Sequence, residues 1–203
     1  MLILGHSGIT LGAAMLLDAV AARGYSIKTR QNGAKNYPAA GSASWLISLR
    51  NYVDIRLLLL ASLFPDIIDK PLGLVFLKDT FNNGRIFCHT LAFTLLITLA
   101  GFYICRRHGK TWLLILAFGS FTHLILDKMW LEPQTLFWPL YSFTFHRGVP
   151  NSWISDNIVQ LRLDPGTYFP EIAGAVILVW LMVVLIRRKA VGTFIRSGKL
   201  SNS

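Results

Sequence analysis

Apolar residues along the chain collect in five stretches that polar or basic segments separate. The stretches are Leu2–Val20, Trp45–Phe64, Leu91–Cys105, Trp112–Leu126 and Ile172–Ile186. A straight transmembrane helix needs about 20 apolar residues, so several stretches need polar flanking residues to complete a span. We therefore predict an all-α, polytopic membrane bundle of about five membrane-embedded helices. The second stretch departs most from an uninterrupted span, because Arg50, Asp54 and Arg56 lie within it.

The composition supports a membrane protein. Hydrophobic residues make up 53% and charged residues 15% of the 203 positions, whereas soluble domains contain about 45–50% and about 25%. Disordered, coiled-coil and collagen-like chains are excluded by the same numbers. Two cysteines, Cys88 and Cys105, do not suffice for a disulfide scaffold or a Cys-rich zinc ribbon.

We expect a single integral-membrane domain over residues 1–203. Its motif-bearing core covers 6–140, an external loop 141–171, the last transmembrane helix 172–186 and a basic cytoplasmic tail 187–203. The polar and aromatic character of the external loop fits a plain connection in the headgroup region or a lid over a site. The plain connection is the interpretation that we favour.

The net charge of +10 is distributed by segment. Of the 20 Lys and Arg residues, 13 lie in three segments without an acid, namely 21–50, the turn at 106–110 and the tail after Ile186. Eight of the ten acids lie in 66–88 and 127–171. The positive-inside rule then predicts a multi-pass protein of the cytoplasmic membrane, with its basic loops and C-terminus in the cytoplasm. No nucleic-acid partner is expected, since no helix-turn-helix or aromatic–basic RNA motif accompanies these charges.

The unusual polar residues all fall at the opposite, outer face of this topology. They are His6, Asp66, Asp69, Arg85, His89, His123 and Asp127. Charged residues within or bordering a membrane are costly and mark functional sites by default. Taken singly, each has an ordinary alternative, such as a helix cap for Asp66 or a packed side chain for His6. Their convergence on one face favours an active site.

The spacing of these residues suits a metal. His123 and Asp127 are four residues apart, so both project from one helix face, and Asp66 and Asp69 are three apart. Imidazole and carboxylate ligands favour Zn, with Mn or Fe as alternatives, and the cluster can hold one or two divalent ions per chain. Such ions polarise a phosphoryl oxygen and activate a water molecule. Arg85 is then a natural phosphate clamp.

These blocks resemble the YdjM-like family of membrane-bound metal-dependent hydrolases. The matching pieces are His6, Leu-Phe-Pro-Asp-Ile-Ile-Asp-Lys-Pro at 63–71, Arg85 with His89-Thr90, Gly-Ser-Phe-Thr-His-Leu-Ile-Leu-Asp at 119–127, and Pro-Gln-Thr-Leu-Phe-Trp-Pro at 133–139. The Lys-Pro insertion and the Leu-Phe-Trp-Pro ending are similar to archaeal members. With this resemblance, the predicted metal ligands are His6, Asp66, His89, His123 and Asp127. The predicted catalytic residues are Asp69 and Arg85, and the predicted substrate-binding residues are Arg85, Thr90 and Glu132.

The chain departs from the family in one block. The family pattern before the third helix commonly reads His-Arg-Gly-x-Thr-His-Ser, whereas Gly84, Ile86 and Cys88 stand here in place of its first His, its Gly and its Thr. A site that uses that first His therefore has one ligand or proton carrier fewer in this chain.

The expected function is a membrane-embedded metal-dependent hydrolase that cleaves a phosphoester of a lipid or lipid-linked substrate, with membrane lipids as partners. Two alternatives stay open at this point: an ion- or proton-coupled transporter, and a non-catalytic membrane protein that a metal stabilises. Against a transporter, the polar residues gather at one face and the sequence has no inverted repeat.

Overall fold

The computed structural model describes residues 2–31, 53–147 and 163–198, together with the single positions 159 and 161. Every regular element within these residues is helical, which confirms the all-α class. The α-helices are α1 (Ile3–Gln31), α2 (Ile55–Pro71), α3 (Leu91–His108), α4 (Trp112–Leu126), α5 (Pro133–Leu136), α6 (Pro165–Arg187) and α7 (Val191–Ser197). A π-helical turn at Leu72–Phe76 follows α2, and a 3-10 turn at Met129–Leu131 follows α4.

Polar caps and a glycine set the ends of two helices. The carboxylate of Asp54 accepts the backbone N–H of Arg56 at 3.0 Å at the start of α2. The hydroxyl of Thr90 accepts the backbone N–H of Phe93 at 3.1 Å at the start of α3. α3 ends at Gly109, whose φ of 65° lies in the left-handed region that glycine adopts without strain. These contacts satisfy backbone groups that a helix end leaves without partners.

α2 continues further than the second apolar stretch. It runs to Pro71, so it includes the whole proline–aspartate block, with Pro65 inside the helix. Residues 45–52 of the predicted stretch lie outside the described residues. The two aspartates of the block therefore lie on α2 itself, near its C-terminal end.

α6 begins seven residues before the predicted start of the last transmembrane helix. Asp164 caps it by accepting the backbone N–H of Gly166 at 3.0 Å, and Pro165 is suited to the first helical turn. The end of the predicted external loop is thus helical. Residues 148–158 of that loop lie outside the described residues.

Glycine allows two pairs of helices to approach closely. A Cβ added to Gly8 of α1 would lie 2.1 Å from the carbonyl oxygen of Gly174 in α6. A Cβ added to Gly119 of α4 would lie 2.5 Å from Ala61 in α2. Small residues at membrane helix interfaces permit this backbone contact. Both contacts lie in the part of the bundle that carries the buried histidines.

Buried apolar side chains from α1, α2, α4 and α6 form the core. They are Leu11, Ala14, Ile55, Leu58, Ile115, Leu181 and Leu185. Many outward side chains are apolar as well, and Leu96, Phe102 and Val179 are each more than half exposed. An apolar exterior of this kind is compatible with a lipid environment, where no hydration of the surface is needed.

One helix of the described residues, α6, is long and apolar enough to cross a membrane by length and composition. The apolar part of α1, Ile3–Leu17, and α4 are shorter. The prediction of five membrane-embedded helices is therefore not confirmed by helix length and stays a prediction. What the structure establishes is the helical bundle itself.

The helices alternate in direction, which gives the bundle two different ends. At the end that we call the cluster end, α1, α3 and α6 begin and α2 and α4 finish, and the buried histidines lie there. At the other end, the basic end, α3 finishes with Arg106 and Arg107 and α6 with Arg187. α7 lies at the basic end too, because the carbonyl of Gly198 accepts the N–H of Ile55 at 3.2 Å.

Candidate metal centre

Four side chains meet at the cluster end in a group that can hold a metal ion. They are Asp66, His89, His123 and Asp127, and one ligand atom from each lies within 4.8 Å of all the others. α2 contributes the first, the segment before α3 the second, and α4 with its C-terminal cap the other two. The sequence places these residues up to 61 positions apart, and the fold brings them together.

The two histidines present the same ring nitrogen to the group. The Nε2 atoms of His89 and His123 are 3.2 Å apart. Asp66 Oδ1 lies 3.5 Å from the first and 3.7 Å from the second, and Asp127 Oδ2 lies 3.9 Å from each. Two nitrogens and two oxygens therefore surround one point.

The orientation of His123 is fixed by a backbone carbonyl. Its Nδ1 lies 2.6 Å from the carbonyl oxygen of Ser62 in α2. A carbonyl oxygen only accepts, so Nδ1 carries the proton and Nε2 of the neutral ring has a lone pair that faces the group. Metal-binding histidines are commonly oriented in this way by the partner of the other ring nitrogen.

Asp69 has the same effect on His89 and holds the loop that carries it. The carboxylate of Asp69 is completely buried and lies 2.7 Å from His89 Nδ1. It also accepts the backbone N–H groups of Ile86, Cys88 and His89 at 2.9 to 3.1 Å. The structure therefore places the predicted catalytic Asp69 behind His89, outside the four-residue group, where it orients a ligand.

The electrostatics of the loop before α3 agree with a site for a cation. Burial acts to lower the pKa of His89, but the carboxylates of Asp66 and Asp69 outweigh it and raise that pKa above its usual value. Burial and the carboxylate of Asp69 raise the pKa of the Cys88 thiol. Cys88 is not among the side chains whose ligand atoms lie close together, so the candidate donors of this centre are imidazoles and carboxylates.

His6 lies beside the group and touches one of its members. Its buried ring stacks on His123 with centroids 4.0 Å apart, and its Nε2 is 3.0 Å from Asp127 Oδ1. Its Nδ1 has no hydrogen-bond partner among the described residues, and neither has Asp66 Oδ1. Buried polar atoms without partners are rare and costly. A bound cation would satisfy Asp66 Oδ1, so the donor set fits a divalent metal.

Arg85 and Glu132 form the rim of the centre. Arg85 Nε donates to Asp127 Oδ2 at 3.1 Å, and Nη1 donates to Glu132 Oε1 at 2.6 Å. Burial acts to lower the pKa of Arg85, but Asp127 and Glu132 raise it, so the guanidinium stays charged. The predicted phosphate clamp thus lies directly against a candidate ligand.

The side chain of Thr90 is buried, whereas contact with a substrate needs an accessible side chain. Its side chain is 1% exposed, donates to the carbonyl of Phe87 at 2.8 Å and caps α3. Asp69 and His6 lie outside the four-residue group but each contacts one of its members, whereas the described hydrogen bonds of Thr90 go to Phe87, Phe93 and Thr94. The substrate-binding role of Thr90 stays a prediction.

Two charged residues near the centre had no predicted role. Lys70 Nζ lies 2.6 Å from Asp66 Oδ2, four residues back on α2. A Cβ added at Gly84, where the family commonly has His, would lie 3.1 Å from Lys70 Cγ, so Lys70 packs against the position of the missing side chain. The carboxylate of Glu171 accepts the backbone N–H groups of Leu2 at 2.6 Å and Gly5 at 3.0 Å. The spacing of Asp66 and Lys70 indicates the first contact, whereas no local pattern indicates the second.

Comparison with known families agrees with this geometry. The family model described as YdjM inner membrane protein matches residues 1–195, nearly the whole chain. The chain belongs to the YdjM family. No curated protein and no solved structure matches it significantly. Membership of the YdjM family confirms the resemblance that the sequence blocks indicated and supports a membrane protein, and the His/Asp group is a centre that this member of the YdjM family can use to bind metal.

Proposed function

We propose that this YdjM-family protein is a membrane-embedded metal-dependent hydrolase that cleaves a phosphoester of a lipid or lipid-linked substrate. The observation that carries the proposal is the pair of Nε2 atoms 3.2 Å apart, each aimed by a partner on the other ring nitrogen. A shared cation accounts for two buried imidazoles that present their Nε2 atoms to each other beside two carboxylates.

Asp66, His89, His123 and Asp127 would hold the ion, which we propose to be zinc, with manganese or iron as alternatives. A divalent ion bound there supplies Lewis acidity toward a phosphoryl oxygen and makes a water molecule acidic enough to react near neutral pH. Hydrolysis forms a bond from that water oxygen to phosphorus, breaks one P–O ester bond, and transfers a proton to the leaving alcohol oxygen.

The residues around the ligands would serve distinct purposes. Asp69 keeps His89 in the ligand orientation through its 2.7 Å contact. Arg85 carries a planar, permanently charged group suited to two phosphate oxygens, and it lies 3.1 Å from a ligand carboxylate. Lys70 adds a second positive charge beside Asp66. These groups favour an anionic substrate at the centre.

The charge distribution supports an outward-facing position for the reaction. The cluster end and the basic end of the bundle lie opposite each other. With the basic segments in the cytoplasm, as the positive-inside rule expects, the centre would face outward near the lipid headgroups. A substrate that is itself anchored in the membrane fits this position.

A transporter accounts less well for the same residues. Proton or ion relays usually place ionisable groups along the path across the membrane. In the part of the chain that the structure describes, the buried histidines and their carboxylates lie together at one end. A proteoliposome assay in which solute flux is abolished by Asp66→Asn would favour the transporter over the hydrolase.

Metal analysis combined with a hydrolysis assay tests the proposal. Protein purified in detergent should contain at least about one zinc, manganese or iron ion per chain and should hydrolyse bis(p-nitrophenyl) phosphate. We expect His123→Ala and Asp127→Ala to lose metal and activity together. His108→Ala is the matched control, because His108 is an exposed histidine at the basic end.

The outcomes separate the remaining hypotheses. Full activity after complete removal of the metal would overturn the proposal. Metal that is bound with no hydrolysis, and whose removal only lowers the melting temperature, would identify a non-catalytic protein that the metal stabilises. Equal metal content in His123→Ala and His108→Ala would refute the assignment of the centre itself.

A further inference from the structure

A cleft of about 420 Å³ opens at the cluster end beside the rim of the metal centre. One wall comes from the segment after α4, between Leu131 and Thr135, and the other includes Tyr141 and His146. The ligand set and the phosphate clamp of the proposed function leave this space unused. Its position next to the clamp makes it a candidate for the part of the substrate beyond the phosphate.

Both walls of the cleft connect to Arg85. On one side Glu132 accepts from Arg85 Nη1 at 2.6 Å, and Arg85 Nε reaches Asp127 at 3.1 Å. On the other side the carbonyl of His146 accepts from Asn83 Nδ2 at 2.7 Å, and Asn83 Oδ1 accepts the backbone N–H of Arg85 at 2.9 Å. A single guanidinium therefore separates the cleft from a candidate metal ligand.

The lining of the cleft favours an uncharged, hydroxyl-bearing ligand. Gln134, Tyr141 and His146 offer an amide, a phenol and an imidazole, which both donate and accept hydrogen bonds. The one formal charge in the lining, on Glu132, is already offset by Arg85. None of the seven described lining residues is Lys or Arg. A charged head group would lack an unpaired counter-charge in this lining, whereas the hydroxyl groups of a polyol or sugar could form hydrogen bonds with several of its side chains.

The neighbouring surface indicates that such a ligand belongs to a lipid. Leu140 and Phe143, next to the cleft wall in sequence, are 93% and 84% exposed. Exposed Leu and Phe side chains favour the membrane interface, where they enter the boundary between the lipid headgroups and the acyl chains. The cleft thus opens where the head group of a membrane lipid would lie.

We propose that this cleft binds the polyol or sugar head group of a lipid phosphoester, with the phosphate at Arg85. The inference rests on the proposed function for the phosphate position and adds the class of head group. It concerns recognition and holds whichever P–O bond is broken. Tyr141 and Gln134 would be the main determinants of head-group specificity, because both are exposed side chains that can contact a ligand.

Binding to the metal-free protein tests the inference without relying on activity. The probes are dioctanoyl phosphatidylglycerol, dioctanoyl phosphatidylcholine and dioctanoyl phosphatidic acid, titrated by calorimetry in detergent. We expect phosphatidylglycerol to bind about tenfold more tightly than the other two, as one or two neutral hydrogen bonds would provide. Soluble glycerophosphoglycerol, which has the same head group without acyl chains, should bind more weakly if the ligand is a membrane lipid.

Variants then locate the preference in the cleft. Tyr141→Ala combined with Gln134→Ala should abolish the tenfold preference and leave the affinity for phosphatidic acid within about twofold. Tyr103→Ala is the matched control, since Tyr103 is 68% exposed on α3 and Tyr141 is 65% exposed. Equal binding of the three lipids, a preference for phosphatidylcholine, or a preference that survives the double variant would overturn the inference.

Hydrolysis of the same lipids by metal-loaded protein distinguishes this failure from failure of the proposed function. If the protein hydrolyses all three lipids and bis(p-nitrophenyl) phosphate at similar rates, the proposed function is supported and the head-group assignment is refuted. If it hydrolyses none of them, yet binds phosphatidylglycerol most tightly in the calorimetric titration, the hydrolase is refuted and the head-group assignment is supported.

Discussion

The two ends of the bundle both carry ionisable side chains, but in opposite surroundings. At the cluster end, Asp69, His89 and His123 are completely buried, with the Asp69 carboxylate 2.7 Å from His89 Nδ1 and the two Nε2 atoms 3.2 Å apart. At the basic end, Asp54 and Arg56 form an ion pair at 2.7 Å with about a third of each side chain exposed, 33% and 37%.

This difference predicts how much each ionisable side chain contributes to stability. An exposed ion pair contributes about 0–1 kcal/mol and tolerates change, because water replaces a lost partner. A buried charge needs all of its partners, because the loss of one partner leaves the other charge uncompensated and lowers the free energy of unfolding by several kcal/mol. The exposed pair caps a helix, whereas the buried set forms a group that can hold a cation.

Replacing a carboxylate at each end provides the sharpest test of this contrast. We expect Asp69→Ala to destabilise the protein by about 3–5 kcal/mol, since it leaves three backbone N–H groups without their acceptor. Asp69→Asn keeps an acceptor oxygen but releases His89, so zinc affinity should fall about 10–100-fold. Thermal unfolding in detergent and zinc titration measure the two effects. Asp54→Ala is the control, and equal losses in both alanine variants would contradict the contrast.

The close contact between α4 and α2 provides the next largest effect. Gly119→Ala places a Cβ 2.5 Å from Ala61, and the helices must move apart, at a cost of about 1–3 kcal/mol. Because His123 lies one turn further along α4, we expect metal affinity to fall as well. Gly192→Ala on α7 is the matched control, since a Cβ there has no neighbour within 4 Å. Identical unfolding temperatures for the two variants would show that the approach of α2 and α4 does not constrain the centre.

Glu171 tests whether α6 positions His6. Its carboxylate caps the first turn of α1, directly before His6, from 166 residues away. Glu171→Gln retains one acceptor oxygen and loses the charge, so we expect a loss of about 1 kcal/mol in stability. Asp164→Asn, at the exposed cap of the same helix, should have a smaller effect. If Glu171→Gln lowers zinc affinity more than Asp164→Asn does, His6 contributes to the centre, and no difference would argue that it does not.

The sequence predicted much of this arrangement from local rules. His123 and Asp127 share a helix face because they are four residues apart, and the helical class followed from the apolar stretches. The segregation of basic residues from the His/Asp set anticipated the two ends of the bundle. These features depend on periodicity and charge, which a single sequence displays.

Other features depend on contacts between distant segments and could not be predicted in this way. The sequence does not distinguish Asp66 from Asp69, which are three residues apart. In the fold, Asp66 belongs to the four-residue group, whereas Asp69 accepts hydrogen bonds from the backbone of the loop before α3. The carbonyl of Ser62 that orients His123 is a backbone atom, so its residue type gives no signal. Glu171 meets α1 only through the packing of α6.

The smallest expected effect lies at the basic end, in the cap of α2. Asp54→Ala should lower stability by about 0.5–1 kcal/mol, whereas Asp54→Asn, which keeps a capping oxygen, should lose less. The hydrogen bond from Arg56 holds the pKa of Asp54 below its usual 3.8, so the cap contributes fully above about pH 4 and is lost as the pH falls through the lowered pKa. Thermal unfolding of wild type and Asp54→Ala should therefore differ at pH 6 and converge in stronger acid. A difference in stability between the two proteins that persists in strong acid would mean that Asp54 acts through packing and not through its charge. The carboxylates at the two ends of the bundle would then differ less in their contribution to stability than their burial implies.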